Sequence, residues 1–249
     1  MLDNTRWNLI DIFKVFLFYF FMMLVGIPVL LWIIKQIFGM DLVKVFGQNI
    51  VILSLSLIVN ILTCLYVFYI IRISYNLPIA SLGFTTSNWK RDTKLGLKRY
   101  FIVLPVIVLA GFVVDFISRI FGTLPKQQEI INKILEEDSL AVLIFMILFG
   151  ILAAPIIEEM LFRGFLQSAV KTTYGKLSAI FVSGFLFALV HLNAHVFLQI
   201  FILGLLLAYL FEKTGSLIAP ITVHIFHNSA TIAFLISFKH LLKGYVATN

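Results

Sequence analysis

Long uncharged apolar runs, separated by short connections that hold almost all the charge, set the pattern of this chain. Residues 15–34 carry no charge over 20 positions, about the length that crosses a hydrocarbon core, and Trp32 near the end of the run suits an interface. Residues 49–71 repeat the pattern, and 100–118 do so with Asp115 near the outer end and with Pro105 and Gly111 permitting a kink. From Leu140 the chain stays apolar and helical in period toward Tyr174-Gly175, which predicts a helix longer than one bilayer or broken near Pro155. Residues 177–192, 196–211 and 217–238 complete seven predicted spans, with no eighth visible. The expected architecture is all-α, a polytopic transmembrane helix bundle of about seven to eight spans.

The polar segments divide this bundle. Residues 1–75 hold the N-terminal transmembrane helices, 76–99 a basic connection, 100–238 a transmembrane core and 239–249 a polar tail. In the basic connection, Asn76-Leu77-Pro78 and Ser81-Leu82-Gly83-Phe84 read as turns, and 90–100 as a basic amphipathic helix suited to anionic lipid. Residues 122–139 carry the main acidic cluster, Glu129, Glu136, Glu137 and Asp138, and read as a solvated, partly helical connection. Asn60 and Thr63 are expected to bond neighbouring helices, and Asp115 to sit at an interface.

Composition agrees with the pattern. The chain is 61% hydrophobic and 12% charged, with a mean hydropathy of +1.05, which is too little polar surface to coat a soluble fold of this length. Net charge is +7, read as juxtamembrane anchoring on a lipid bilayer; no nucleic-acid partner is expected. The first eleven residues are too charged for the leader of a cleaved signal peptide, so the first run is expected to stay. Placing the N-terminus in the cytoplasm puts eleven Lys and Arg inside against seven outside, the sense of the positive-inside rule. The single cysteine, Cys64, has no intramolecular partner and leaves the redox compartment open.

The segment Ala154-Pro155-Ile156-Ile157-Glu158-Glu159-Met160-Leu161-Phe162-Arg163-Gly164-Phe165 breaks the apolar rule. A charged residue at a helix centre costs about 2.5–3.5 kcal/mol on insertion scales, so three together point to a site. Glu159 and Arg163 are four apart and predict an ion pair, while Glu158 is turned about 100° away. Left free in surroundings poor in water, Glu158 has the character of a general base. Two later spans add His191, after Phe187, and His224 with Asn228, on one helical face. A hairpin turning at Tyr174-Gly175-Lys176 would bring His191 level with the Glu pair. His224 falls short by about 9 Å of helical rise and needs an offset or tilt. Asn193 and His195 read as interfacial, and His227 lies off the His224–Asn228 face. Carboxylates to hold water and donors for an oxyanion compose a hydrolytic centre.

In order, Glu158-Glu159-x-x-x-Arg163, Phe187-x-x-x-His191 and His224-x-x-x-Asn228 resemble the three motifs of the CPBP family, the CAAX proteases and bacteriocin-processing proteins also called Abi. The likeness extends to Ser81-Leu82-Gly83-Phe84, to Gly204-Leu205-Leu206-Leu207-Ala208-Tyr209 before Glu212-Lys213-Thr214-Gly215-Ser216-Leu217, and to Ala219-Pro220-Ile221. It covers roughly residues 80–230 and leaves the first two spans without a signature.

The resemblance implies an intramembrane endopeptidase. By position, Glu158 and His191 would activate water, His224 and Asn228 would stabilise the oxyanion, and Glu159 and Arg163 would organise the site. The family has been described both as metalloproteases and as metal-independent glutamate proteases. A His-Glu-x-x-His helix is absent from the sequence; zinc, if used, would take Glu158, His191 and His224, and the metal-free alternative needs fewer assumptions. Family members that process CAAX tails are usually drawn with eight spans, one more than this sequence provides. Eukaryotic members act on prenylated tails, and bacterial ones are associated with bacteriocin maturation and self-immunity. Abundant Phe, Ile, Lys and Asn fit a low-GC bacterium, so a membrane-associated or lipidated peptide at a bacterial plasma membrane is the expected partner. A non-catalytic immunity or scaffold protein is the alternative. A proton-coupled transporter is a third, which would call for an internal repeat that the sequence does not show.

Overall fold

The computed structural model describes residues 7–122, 137 and 139–237. Within them six helical stretches are long and apolar enough to cross a membrane: α1 Leu9–Phe38, α2 Gln48–Ser74, α3 Trp89–Ile120, α4 Leu140–Leu189, α5 Ala194–Thr214 and α6 Ile218–Ser237. Helix α4 is not one rod. Gly175 adopts φ 80° and ψ 174°, a left-handed extended conformation open to glycine, and the chain reverses there. Ser183 then donates to the Phe162 carbonyl at 3.1 Å, which fixes the second leg antiparallel to the first. Counting the two legs of α4 separately gives seven spans among the described residues, the lower end of the expected range. The acidic connection and polar tail expected at 122–139 and 239–249 fall, but for a few residues, outside the described ones.

Helix α1 starts with Asn8, whose side chain accepts from the Ile10 and Asp11 backbone, while Asp11 caps Asn8 in return. Helix α3 runs unbroken from Trp89, so the basic stretch is the first part of the third span and not a separate surface helix. Asn60 and Thr63 also differ from expectation. Both bond back to their own helix, to the Ser56 and Val59 carbonyls, because a carbonyl one turn back is always in reach. Large apolar side chains such as Leu24, Phe112 and Phe116 stay exposed around the bundle, as a lipid-facing coat requires.

Packing inside depends on close approach. A Cβ on Gly204 would lie 3.0 Å from the Gly184 carbonyl oxygen, so the second leg of α4 and α5 touch through backbone. The first leg of α4 and α5 run parallel and are tied by a ladder. Arg163 Nη2 donates to Gly204 O at 3.1 Å and Gln167 Nε2 to Ala208 O at 2.9 Å, both 41 residues apart, and Lys171 meets Glu212 at 3.1 Å in the same register.

One end of the bundle gathers the α2–α3 connection against α4, α5 and α6. Gly83 accepts from the Leu217 N–H at 2.9 Å, Ser216 Oγ donates to the Thr85 carbonyl at 3.0 Å, and Leu82 packs on Gly164. This contact gives the Ser81–Phe84 segment a packing role apart from the three motifs. A Cβ on Gly164 would stand 2.6 Å from the Leu82 carbonyl oxygen. Gly164→Ala is therefore expected to cost about 1–3 kcal/mol by overpacking; thermal unfolding in detergent should show the lower midpoint, and limited proteolysis earlier nicking at 76–88.

Candidate active site

The Glu pair occupies one and a half turns of α-helix, Ala154–Glu159, between two π-helical segments, Phe149–Ala153 and Met160–Gln167. Such widened turns concentrate at functional sites. Pro155 is the local cause of the first. It has no N–H and its ring crowds the preceding turn, and the Ala154 N–H reaches back to Phe149 O. The Gly150 carbonyl is thereby released from its usual partner and accepts from Asn228 Nδ2 at 2.8 Å.

Glu159 is the buried centre of the cluster. Its Oε1 accepts from Arg163 Nη1 at 3.0 Å and from His224 Nδ1 at 2.8 Å, and Glu159 and Arg163 are both wholly shielded. Arg163 is held further by the Gly204 carbonyl and by the Phe187 ring, 4.4 Å from its Cζ. Sequence spacing left His224 short of the Glu pair. In the structure the two meet, because α6 packs directly on Phe149–Glu159. His224 Nε2 stands 3.7 Å from Glu158 Oε2.

Two histidine tautomers follow from the partners. A carbonyl oxygen only accepts, so His191 Nδ1, 2.7 Å from Phe187 O, carries the proton and leaves Nε2 with a lone pair when neutral. His224 Nδ1 likewise donates to Glu159, which leaves Nε2 as the working atom of that ring. Asn228 spends one of its two amide hydrogens on Gly150 and keeps the other.

Glu158, with its side chain 31% exposed, borders two cavities. One, about 300 Å³, brings Glu158, His191, His224 and Asn228 to a common wall. The other, about 270 Å³, shares Glu158 and His191 and reaches α1 and α2. His227, off the expected face, also lines the first cavity and bonds the Tyr100 hydroxyl at 3.1 Å. Gln167 was not singled out from the sequence; the Arg163, Gln167, Lys171 spacing of one residue in four was its only signal. Asn193 caps α5 through the His195 N–H, and His195 bonds Ser118; neither lines the two cavities. Among the described residues no group of three His, Cys, Asp or Glu side chains is gathered as metal ligands would be.

The fold and site define a polytopic membrane protein with a carboxylate, histidine and amide cluster facing internal cavities. Residues 140–230, which span α4, α5 and most of α6, match the family of type II CAAX prenyl endopeptidases, Rce1-like, in agreement with the CPBP resemblance. That family's description is of endopeptidases that act on CAAX prenyl proteins. No curated protein and no solved structure matches the chain.

Removing Arg163 would strand the Glu159 charge. Arg163→Met is expected to destabilise by about 3–5 kcal/mol, and Arg163→Lys by less, since one ammonium cannot hold Glu159 and Gly204 in a fixed fork. Thermal unfolding in detergent measures both.

Proposed function

We propose that this protein is an intramembrane endopeptidase that hydrolyses a peptide bond in a membrane-associated, lipidated or bacteriocin-type peptide. The observation that carries the proposal is the shared wall of the larger cavity, where Glu158 from the first leg of α4, His191 from the turn after its second leg, and His224 and Asn228 from α6 meet.

Water held between Glu158 and His191 Nε2 donates one hydrogen to each and keeps a lone pair for attack. Its oxygen adds to the scissile carbonyl carbon while Glu158 takes a proton. The oxyanion receives the spare Asn228 Nδ2 hydrogen and a hydrogen from His224 Nε2, which requires the doubly protonated His224 ring. Collapse breaks the C–N bond, and Glu158 returns its proton to the leaving nitrogen. Glu159 and Arg163 touch no reacting atom in this scheme. They position His224 and α5.

The α2–α3 connection, which leads into the Lys- and Arg-rich start of α3, lies at the same end of the bundle as Trp7, which bonds Phe165 O. Together with the inner excess of Lys and Arg this supports a cytoplasmic N-terminus in a bacterial plasma membrane.

Cleavage of a quenched lipidated-peptide library by purified protein tests the proposal. Wild type is expected to cleave; Glu158→Gln and His191→Ala should lose about 10²–10⁴-fold as general-base variants, and Asn228→Ala about 10²–10³-fold in kcat as an oxyanion variant. Activity that survives a zinc chelator supports the glutamate mechanism, whereas chelator loss restored by zinc supports a metal-dependent one. Equal inactivity of wild type and variants, with immunity retained by Glu158→Gln in cells, replaces the protease with a scaffold.

A further inference from the structure

The cavity between Glu158 and the first two helices has no part in the hydrolytic scheme, yet it opens on the same carboxylate. It measures about 270 Å³ and shares Phe149, Ala154, Glu158 and His191 with the larger cavity. Its far wall comes from α1 and α2, which lie outside the matched residues 140–230. Aromatic and aliphatic groups such as Phe16, Phe20 and Met23 form most of that wall, interrupted by Tyr19, Ser56, Asn60 and Thr63.

These polar groups are not equally committed. The Thr63 hydroxyl is spent on Val59 O, and Asn60 gives Nδ2 to Ser56 O at 2.9 Å. Asn60 keeps its carboxamide oxygen as an acceptor, and Tyr19 its phenolic hydroxyl as a donor. One donor and one acceptor in an apolar chamber complement the C=O and N–H of a backbone peptide unit. A substrate drawn out extended at membrane depth exposes those groups, and each left unpaired away from water costs free energy. Chambers on either side of Glu158 therefore suit the two sides of one scissile bond.

We infer that the α1–α2 chamber binds the substrate residue next to the scissile bond, on the side away from His224 and Asn228. The Tyr19 hydroxyl donates to its backbone carbonyl, the Asn60 oxygen accepts its N–H, and Phe16 and Phe20 receive an apolar side chain. The inference rests on the endopeptidase proposal and assigns specificity to helices that carry no catalytic motif.

The test uses full-length protein and fluorogenic membrane-soluble peptides that differ only in the residue beside the cleaved bond: Ala, Leu or Phe. Tyr19→Phe and Asn60→Leu should each raise KM about ten-fold, the scale of one unmet buried hydrogen bond, with kcat nearly unchanged. Ser56→Phe, which fills the chamber, should lower kcat/KM for the Phe peptide about ten-fold relative to the Ala peptide. Unchanged KM and unchanged preference in all three variants, while wild type cleaves, would overturn the chamber assignment and leave the protease standing. A second arm measures anisotropy of the same peptides on Glu158→Gln protein. Binding weakened by Tyr19→Phe or Asn60→Leu supports the chamber even without turnover; binding indifferent to both overturns it. Loss of turnover in wild type with Tyr19-dependent binding retained would instead overturn the hydrolytic proposal.

Discussion

The double acceptance by one oxygen of Glu159 is the constraint on which the rest of the structure depends. A carboxylate with no exposure is expensive in a bundle that excludes water, and its attraction to a partner offsets that cost only in good geometry. Arg163 and His224 both reach Oε1, and each belongs to a different helix. Arg163 is then drawn to Gly204 on α5 and roofed by Phe187 on the second leg of α4. Four helical legs thus meet around one ion pair, and the imidazole orientation is fixed by a bond to the buried carboxylate itself. Stability and site geometry are not separable here: whatever loosens Glu159 also releases His224.

Backbone geometry supplies the second half of the arrangement. A regular helix would spend the Gly150 carbonyl on its own ladder and offer Asn228 nothing. The π-helical turn before Pro155 withdraws the local donor and hands that carbonyl to α6. Asn228 is then oriented by a bond that uses only one of its two amide hydrogens. The same economy holds for both histidines, whose Nδ1 atoms are committed to acceptors while their Nε2 atoms remain available. A fixed, half-used hydrogen-bonding group is what a preorganised site requires, because no reorientation is left for the moment of reaction.

Legibility in the sequence follows the range of the interactions. The Glu159–Arg163 pair is local to one helix, and a spacing of four is enough to see it. The reversal at Gly175 and the level of His191 are also legible, since a hairpin of two straight legs has simple arithmetic. His224 was harder. Residue counting measures helical rise at Cα, whereas the contact is made between the ends of two side chains on helices that pack directly together. The π-helical segments had no periodic signature beyond Pro155, and the Arg163–Gln167–Lys171 ladder was hidden because its acceptors are mostly backbone carbonyls of α5, which leave no mark in composition. Asn60 and Thr63 read as cross-helix donors for the converse reason: in the sequence, a polar residue in an apolar run looks the same whether its partner is a neighbour or its own preceding turn.

The division between α4–α6 and the helices before them has a physical basis. Groups that hold charge must meet specific partners at set distances, so the residue types at Glu158, Glu159, Arg163, His191, His224 and Asn228 are narrowly constrained by one another. Cavity walls are constrained only in shape and in a few hydrogen bonds, and many apolar residues build equivalent walls. The three motifs and the family match accordingly lie in the second half of the chain, while α1 and α2 read as plain spans although they close the space beside Glu158. Such a division lets the volume offered to a substrate change by substitution in α1 and α2 without disturbing the buried charge cluster, because none of the hydrogen bonds to Glu159 or His224 comes from those helices.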